Sequence, residues 1–187
     1  MHQKTNHFSM PYFISLSSSP TEFTKTGLLF RAIESILEQR GVEFRIARAV
    51  DFGREHLPST QLEIQRAAAV ILSTSVVTEI SPRLLATMLE TLGNDVLAGK
   101  PVVLLVAGGF RGQALTVEHR LKPELLRLGT ATIAARVHLG VENWRFTADG
   151  RLHQSDEVER ELAEAVDLVL HGILLRRKKR WIPLATA

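Results

Sequence analysis

Pro101-Val102-Val103-Leu104-Leu105-Val106-Ala107-Gly108-Gly109 is the stretch that decides the fold. In an extended strand successive side chains point to opposite faces, so Val102 to Val106 makes a strand that is apolar on both. Such a strand must be covered on both sides, as in a parallel sheet flanked by helices. The run closes on Ala107-Gly108-Gly109, where missing Cβ atoms let backbone come close to a ligand.

Working outward, two further runs have the same character. Ala69-Val70-Ile71-Leu72 opens into Ser73-Thr74-Ser75, and Tyr12-Phe13-Ile14-Ser15-Leu16 opens into Ser17-Ser18-Ser19-Pro20. Val42 to Val50 alternates Val42, Phe44 and Ile46 on one side, and Thr130 to Leu139 reads as a fifth strand. Helical patterns fall between and after them. Leu28, Leu29, Ile33, Ile36 and Leu37 form one face before Gly41, and Gln61 to Ala68 suits a short helix. Ser81 as N-cap and Pro82 at the first helical position introduce Leu84, Leu85, Met88, Leu89 and Leu92. Leu115 to Leu128 is helical, with Pro123 as an internal irregularity. Ser155 to Leu175 is long and amphipathic, capped by Ser155, with Val158, Leu162, Val166 and Val169 in its stripe. Strands alternating with helices predict an α/β fold, a doubly wound five-stranded parallel sheet with helices on both faces. Ligands of such folds bind outside the carboxyl ends of the strands.

Composition narrows the chemistry. The 187 residues include no cysteine, which excludes disulfides, cysteine-held zinc, iron–sulfur clusters and thiol catalysis. Redox work in this chain therefore requires a borrowed cofactor. The net charge of +3 is concentrated in Arg176-Arg177-Lys178-Lys179-Arg180; the other 18 basic residues face 20 acidic ones and leave the rest at −2. One basic run without a supporting basic face or interleaved aromatics argues against nucleic acid. It reads as a solvated helix end that complements the dipole, or as a dock for an acidic partner. No stretch approaches the roughly 18 apolar residues of a membrane span, and the first residues lack a signal-peptide core, so a cytoplasmic protein is expected. The expected organisation is an N-terminal extension over 1–11, one domain over 12–175 and a basic tail over 176–187.

Three loops share one edge of the inferred sheet. The first carries Ser17, Ser18, Ser19, Thr21, Thr24 and Thr26 ahead of a helix, with Lys25 among them. Hydroxyls beside the free N–H groups of a helix start suit a phosphate, or equally an N-capped loop that binds water. Neither a Walker A loop nor a dinucleotide GxGxxG pattern is present. The second loop is Ser73-Thr74-Ser75-Val76-Val77-Thr78-Glu79-Ile80, and the third is Gly108-Gly109. His138 and His153 lack metal-ligand spacing, so no metal site is expected, and Glu157, Glu159, Glu161 and Glu164 read as a solvated helix face.

From Tyr12 to about Leu170 these features resemble the NAD(P)H-dependent FMN reductases of flavodoxin-like fold, and within them the reductase components of two-component alkanesulfonate monooxygenase systems. The family's first loop, G-S-P-x-x-x-S-x-T, is matched by Ser18-Ser19-Pro20-Thr21-Glu22-Phe23-Thr24-Lys25-Thr26. Its second, T-P-V-Y-x-x-x-Y-S-G, corresponds to Thr74-Ser75-Val76-Val77-Thr78-Glu79-Ile80-Ser81-Pro82-Arg83, with Val77 and Ser81 at the tyrosine positions. Leu97-Ala98-Gly99-Lys100, Ala107-Gly108-Gly109 and Leu121-Lys122-Pro123-Glu124-Leu125 match its third stretch, with Gln113 at a usual histidine and His119 at a position that is tyrosine in some members.

The resemblance implies FMN and NAD(P)H as cofactors and hydride passing from nicotinamide to flavin N5. It places FMN at Ser18, Ser19, Thr21, Thr24, Thr26, Ser75, Val76, Val77, Thr78, Gly108, Gly109 and Gln113, assigns no catalytic side chain, and makes His119 a flavin gate or a subunit-contact residue. Backbone N–H groups near Val77 and Gly108-Gly109 would hold the flavin carbonyls. It further implies a homodimer or homotetramer through the helices after the third and fourth strands, and delivery of reduced flavin to a partner monooxygenase. Two other roles fit the same residues: a non-catalytic flavodoxin-like subunit with a degenerate flavin site, and an FMN-bound quinone or azo-dye reductase.

Overall fold

The structure is a computed structural model that describes residues 11–18, 25–76, 80–130, 133–146 and 152–180. Its elements alternate: β1 (Tyr12–Ser17), α1 (Lys25–Glu38), β2 (Glu43–Arg48), α2 (Leu57–Arg66), β3 (Ala69–Ser75), α3 (Ile80–Glu90), β4 (Val102–Ala107), α4 (Arg111–Arg127) and β5 (Ile133–Leu139). A small hairpin, β6 (Trp144–Phe146) and β7 (Leu152–Gln154), precedes α5 (Asp156–Arg180). The five long strands form one parallel sheet in the order β2-β1-β3-β4-β5, the flavodoxin-like arrangement.

Strand alternation divides the core in two. Tyr12, Ile14, Leu16, Val70, Leu72, Leu104 and Val106 face a cluster with Ile64 of α2, Leu85 and Leu89 of α3, and Leu121 and Leu125 of α4. Phe13, Ile71, Val103, Leu105 and Val137 face the opposite cluster with Leu29 and Ile33 of α1 and Leu162 and Val166 of α5. β1, β3 and β4 are buried along almost their whole length, as their apolar runs require. The edge strands are not: Arg136 of β5 is exposed between buried neighbours.

Several boundaries differ from expectation, each for a physical reason. α4 starts at Arg111, four residues before the first apolar position, because Gln113 Oε1 accepts the Phe110 N–H at 3.1 Å and caps the helix there. Pro123 lies in the fourth turn of α4 without breaking the helix. It removes only one donor, and its neighbours Leu121 and Leu125 stay anchored in the core. In α3 the described helix already includes Ile80, so Ser81 and Pro82 are its second and third residues, not cap and first position. The polar segment 51–60 is ordered by a 3₁₀ turn over Ala49–Phe52, and α2 begins at Leu57 with Pro58 in its first turn, four residues before the expected start. Ser155 does precede α5, yet its buried Oγ has no hydrogen-bond partner among the described residues, so it caps through its carbonyl, which accepts the Val158 N–H at 2.9 Å. α5 runs past the expected end at Leu175, since arginine and lysine are good helix formers.

The Gly99-Lys100 pair of the sequence pattern has a structural task. Gly99 takes a left-handed turn with φ +69°. Lys100 Nζ then donates to the Gln65 and Ala67 carbonyls at 2.7 and 2.8 Å, satisfying the C-terminal end of α2. Lys100→Met should lower stability by about 1–2 kcal/mol in urea unfolding, the cost of leaving those carbonyls unbonded. The edge strand β5 is strapped to α4 by Arg136, whose Nε and Nη2 donate to the two oxygens of Glu118 at 2.6 and 2.7 Å. This bond holds the Glu118 carboxyl below its ordinary range. A carboxyl depressed by folding stabilises the fold above its unfolded pKa and loses that contribution as pH falls through the folded value. Arg136→Gln should therefore lower the stability at neutral pH by less than about 1 kcal/mol, because the pair is part-exposed, and with it the melting temperature. The difference from wild type should vanish once the solution is acidified below the folded pKa of Glu118.

Candidate functional site at the carboxyl edge

The order β2-β1-β3 makes the crevice between β1 and β3 the topological switch point, since the chain leaves β1 for one side and returns to the other. Here the two strand ends are tied together by hydroxyls. Ser18 N–H donates to the Ser73 carbonyl at 3.2 Å, Ser18 Oγ–H to Thr74 Oγ1 at 3.0 Å, and Ser15 and Ser73 hydroxyls meet at 3.1 Å. All four side chains are buried and none is charged. Among the described residues other than glycine, only Asp95 has a left-handed backbone, so serine at position 18 carries no conformational cost.

The next two loops are joined in the same manner. Val76 N–H donates to the Ala107 carbonyl at 3.0 Å, and Gly108 N–H to the Leu139 carbonyl at 2.7 Å. Gly108 and Gly109 are both left-handed, with φ +85° and +65°. A Cβ on Gly109 would lie 2.1 Å from Gln113 Oε1 and 2.6 Å from Val76 Cγ2, so only glycine fits. The Gly109 N–H has no acceptor among the described residues. The N–H groups of Val76 and Gly108 are thus used inside the protein, that of Gly109 enters no bond among the described residues, and Val77 lies outside the described residues.

The expected site residues divide as follows. Ser18, Ser75, Val76, Gly108, Gly109 and Gln113 come together along one edge, and buried Thr26 stands in the first turn of α1 behind it. Ser19, Thr21, Thr24, Val77 and Thr78 lie outside the described residues. His119 is not brought to the edge. It is exposed on α4, opposite the Val117 and Leu121 side that faces the core. His138, in contrast, belongs to the edge, a role that its lack of metal-ligand spacing does not reveal. Its Nε2–H donates to the Gly108 carbonyl at 3.1 Å and so braces the left-handed turn from β5. The signal available in the sequence is its position at the end of an inferred strand, level with Gly108.

A groove of about 890 Å³ runs from Gly109, Phe110 and Gln113 past His138 and down between β5 and α5. Phe110 is 71% exposed at its mouth. A second cavity, of about 700 Å³ around Tyr12, Arg45 and Lys100, lies at the amino edge of the sheet, away from these loops. Among the described residues there is no group of three His, Cys, Asp or Glu placed to hold a metal ion, and no helix is long and apolar enough to cross a membrane.

The fold is that of a flavodoxin-like α/β protein, and among the described residues its carboxyl edge between β1, β3 and β4 is built from loop backbone and hydroxyls. A family model described as NADPH-dependent FMN reductase matches residues 12–143, and the chain belongs to that family. It is 30% identical over 125 residues to an FMN reductase (NADPH) of Pseudomonas putida, covering 62% of this chain; the chain spans 64% of that curated relative's length. Among solved structures it is similar to an NADH:FMN oxidoreductase in its apo form, with a TM-score of 0.65, 21% identity and coverage of 88% and 89% of the two chains. It also shares the fold of general stress protein 14 of Treponema denticola, a complex with FMN, with a TM-score of 0.54, 16% identity and coverage of 87% and 99%.

Proposed function

We propose that this chain is an NAD(P)H-dependent FMN reductase that acts at the carboxyl edge and hands reduced FMN to a partner monooxygenase. Family membership supports the reductase reading, and the observation that carries it to this edge is the left-handed Gly108-Gly109 turn. That turn is braced by Leu139 and His138, is closed to any side chain at 109, and its Gly109 N–H has no acceptor among the described residues. A surface of backbone and hydroxyls, as the described residues form here, fits FMN, whose ring carbonyls need donors and whose phosphate needs hydroxyls and a helix start.

In this reading Thr26 and the loop that follows Ser18 would hold the phosphate at the start of α1, while Ser18 ties that loop to β3. Ser75 and Val76 would hold the ring, and the Gly109 N–H would offer it a fixed donor, which favours the charge of the reduced form. Bound FMN supplies the hydride acceptor at N5, so no side-chain acid or base is needed. The protein's contribution would be to hold nicotinamide and flavin in a reactive orientation. Release to a monooxygenase rests on the resemblance to two-component systems.

The test is NAD(P)H oxidation by the purified chain with and without added FMN. The proposal expects turnover that rises with FMN and saturates. Oxidation that ignores FMN, or none at all, would contradict it. Coupled oxygenation of an alkanesulfonate by an added flavin-dependent monooxygenase tests the delivery step.

A further inference from the structure

β5 is an edge strand, last in the order β2-β1-β3-β4-β5. Leu139 turns its carbonyl toward β4, where it accepts the Gly108 N–H at 2.7 Å. Successive residues of a strand point their backbone groups to opposite sides, so Ala134, Arg136 and His138 turn theirs away from the sheet. Among the described residues those N–H and C=O groups have no backbone partner. A row of this kind is a template for one more strand.

The open edge is the floor of the groove that runs down from Gly109, with α4 as one wall and α5 as the other. The two walls differ in chemistry. On the α4 side Leu115 stands 56% exposed, above buried Leu104 and Val106 of β4. On the α5 side Glu157, Glu161 and Glu164 follow at helical steps of four and three and so form one acidic stripe. Glu161 is half-buried, and neither it nor Glu164 has an ion pair among the described residues. The cation in the floor does not answer them, because Arg136 is already held by both oxygens of Glu118.

We infer that this groove takes an extended peptide segment of another protein, added as a new strand beside β5, in which basic and apolar residues alternate. A strand sends alternate side chains to opposite faces, so one set meets the glutamates of α5 and the other meets the apolar wall of α4. The spacing fits. Same-face side chains of a strand stand about 6.8 Å apart, and Glu157 and Glu161 are separated by about 6 Å along their helix axis. Backbone pairing supplies attraction, and charge selects the occupant. A second copy pairing through its own β5 would bring another glutamate stripe to this one, so the same charges oppose self-pairing. The inference is independent of the reductase reading, and its test uses neither flavin nor NAD(P)H.

The probe is a short fluorescein-labelled peptide alternating lysine and valine, titrated with the full chain and followed by anisotropy. Binding should saturate and weaken with added salt. Glu161→Lys combined with Glu164→Lys should weaken it by about tenfold or more. The same peptide N-methylated at the amides that face β5 should not bind, and neither should an alternating glutamate–valine peptide. In hydrogen exchange the peptide should slow the Arg136 and His138 amides and leave the Val137 amide, already bonded to β4, unchanged. No saturable binding, equal binding of the N-methylated peptide, or undiminished binding to the double variant would overturn the inference. Protection of the Arg136 and His138 amides that grows with protein concentration in the free chain would also overturn it, by showing the edge taken by a second copy.

Discussion

Gly109→Val is expected to abolish measurable FMN binding while the protein remains folded. Two costs meet at this residue. Its backbone is left-handed, φ +65°, which is unfavourable by about 1–2 kcal/mol for an ordinary side chain and by more for a β-branched one. Its Cβ would also collide with Gln113 Oε1 and Val76 Cγ2. Relief requires Gln113 to swing away, which uncaps α4 at Phe110, or Val76 to shift from the end of β3. Either movement distorts the turn that presents the Gly109 N–H. Flavin fluorescence quenching should show affinity reduced by well over tenfold, a factor that each ~1.4 kcal/mol supplies. Gly99→Ala is the control, because Gly99 has nearly the same φ but open space around it. It should lose about 1–2 kcal/mol of stability and keep its flavin affinity.

Arg127→Ala should cost about 2–3 kcal/mol of global stability, more than Lys100→Met or Arg136→Gln. The guanidinium of Arg127 is the lock between the far ends of the two helices that start at the site loops. Its Nη2 donates to the Leu89 carbonyl at 2.7 Å, Nη1 to the Leu92 carbonyl at 2.8 Å and to Asn94 Oδ1 at 3.1 Å, and Nε to Glu124 at 2.8 Å. The first two acceptors are the C-terminal carbonyls of α3 and its extension, which alanine leaves without donors. Arg127→Lys should recover only part of the loss, since an ammonium with three donors cannot serve four acceptors arranged around a planar fork. Guanidinium unfolding should show the midpoint lowered at unchanged slope.

How far the fold was legible in the sequence follows from where the apolar pattern was strong. β1, β3 and β4 are buried on both faces and announced themselves as continuous runs. Element ends that rest on polar residues were less visible. The first turn of α4 depends on a glutamine cap, α2 begins inside a polar stretch, and the β6–β7 hairpin consists of two three-residue strands with too little pattern to read. At the site, the Gly108-Gly109 turn was plain because two adjacent glycines at a strand end have few structural alternatives. The brace from His138 and the use of the Val76 and Gly108 N–H groups within the protein were not, since both depend on the pairing of β4 with its neighbours across the sheet. Lys100 and Arg127 acquired roles only when the helix ends they satisfy were in view.

The central claim is that this chain reduces FMN at its carboxyl edge, and anaerobic mixing of NAD(P)H with FMN and the purified protein tests it most directly. The flavin absorbance should bleach at a rate proportional to protein concentration and saturating in NAD(P)H, and Gly109→Val should lose this rate. Bleaching no faster than that of free FMN with NAD(P)H, or an undiminished rate in Gly109→Val, would contradict the claim.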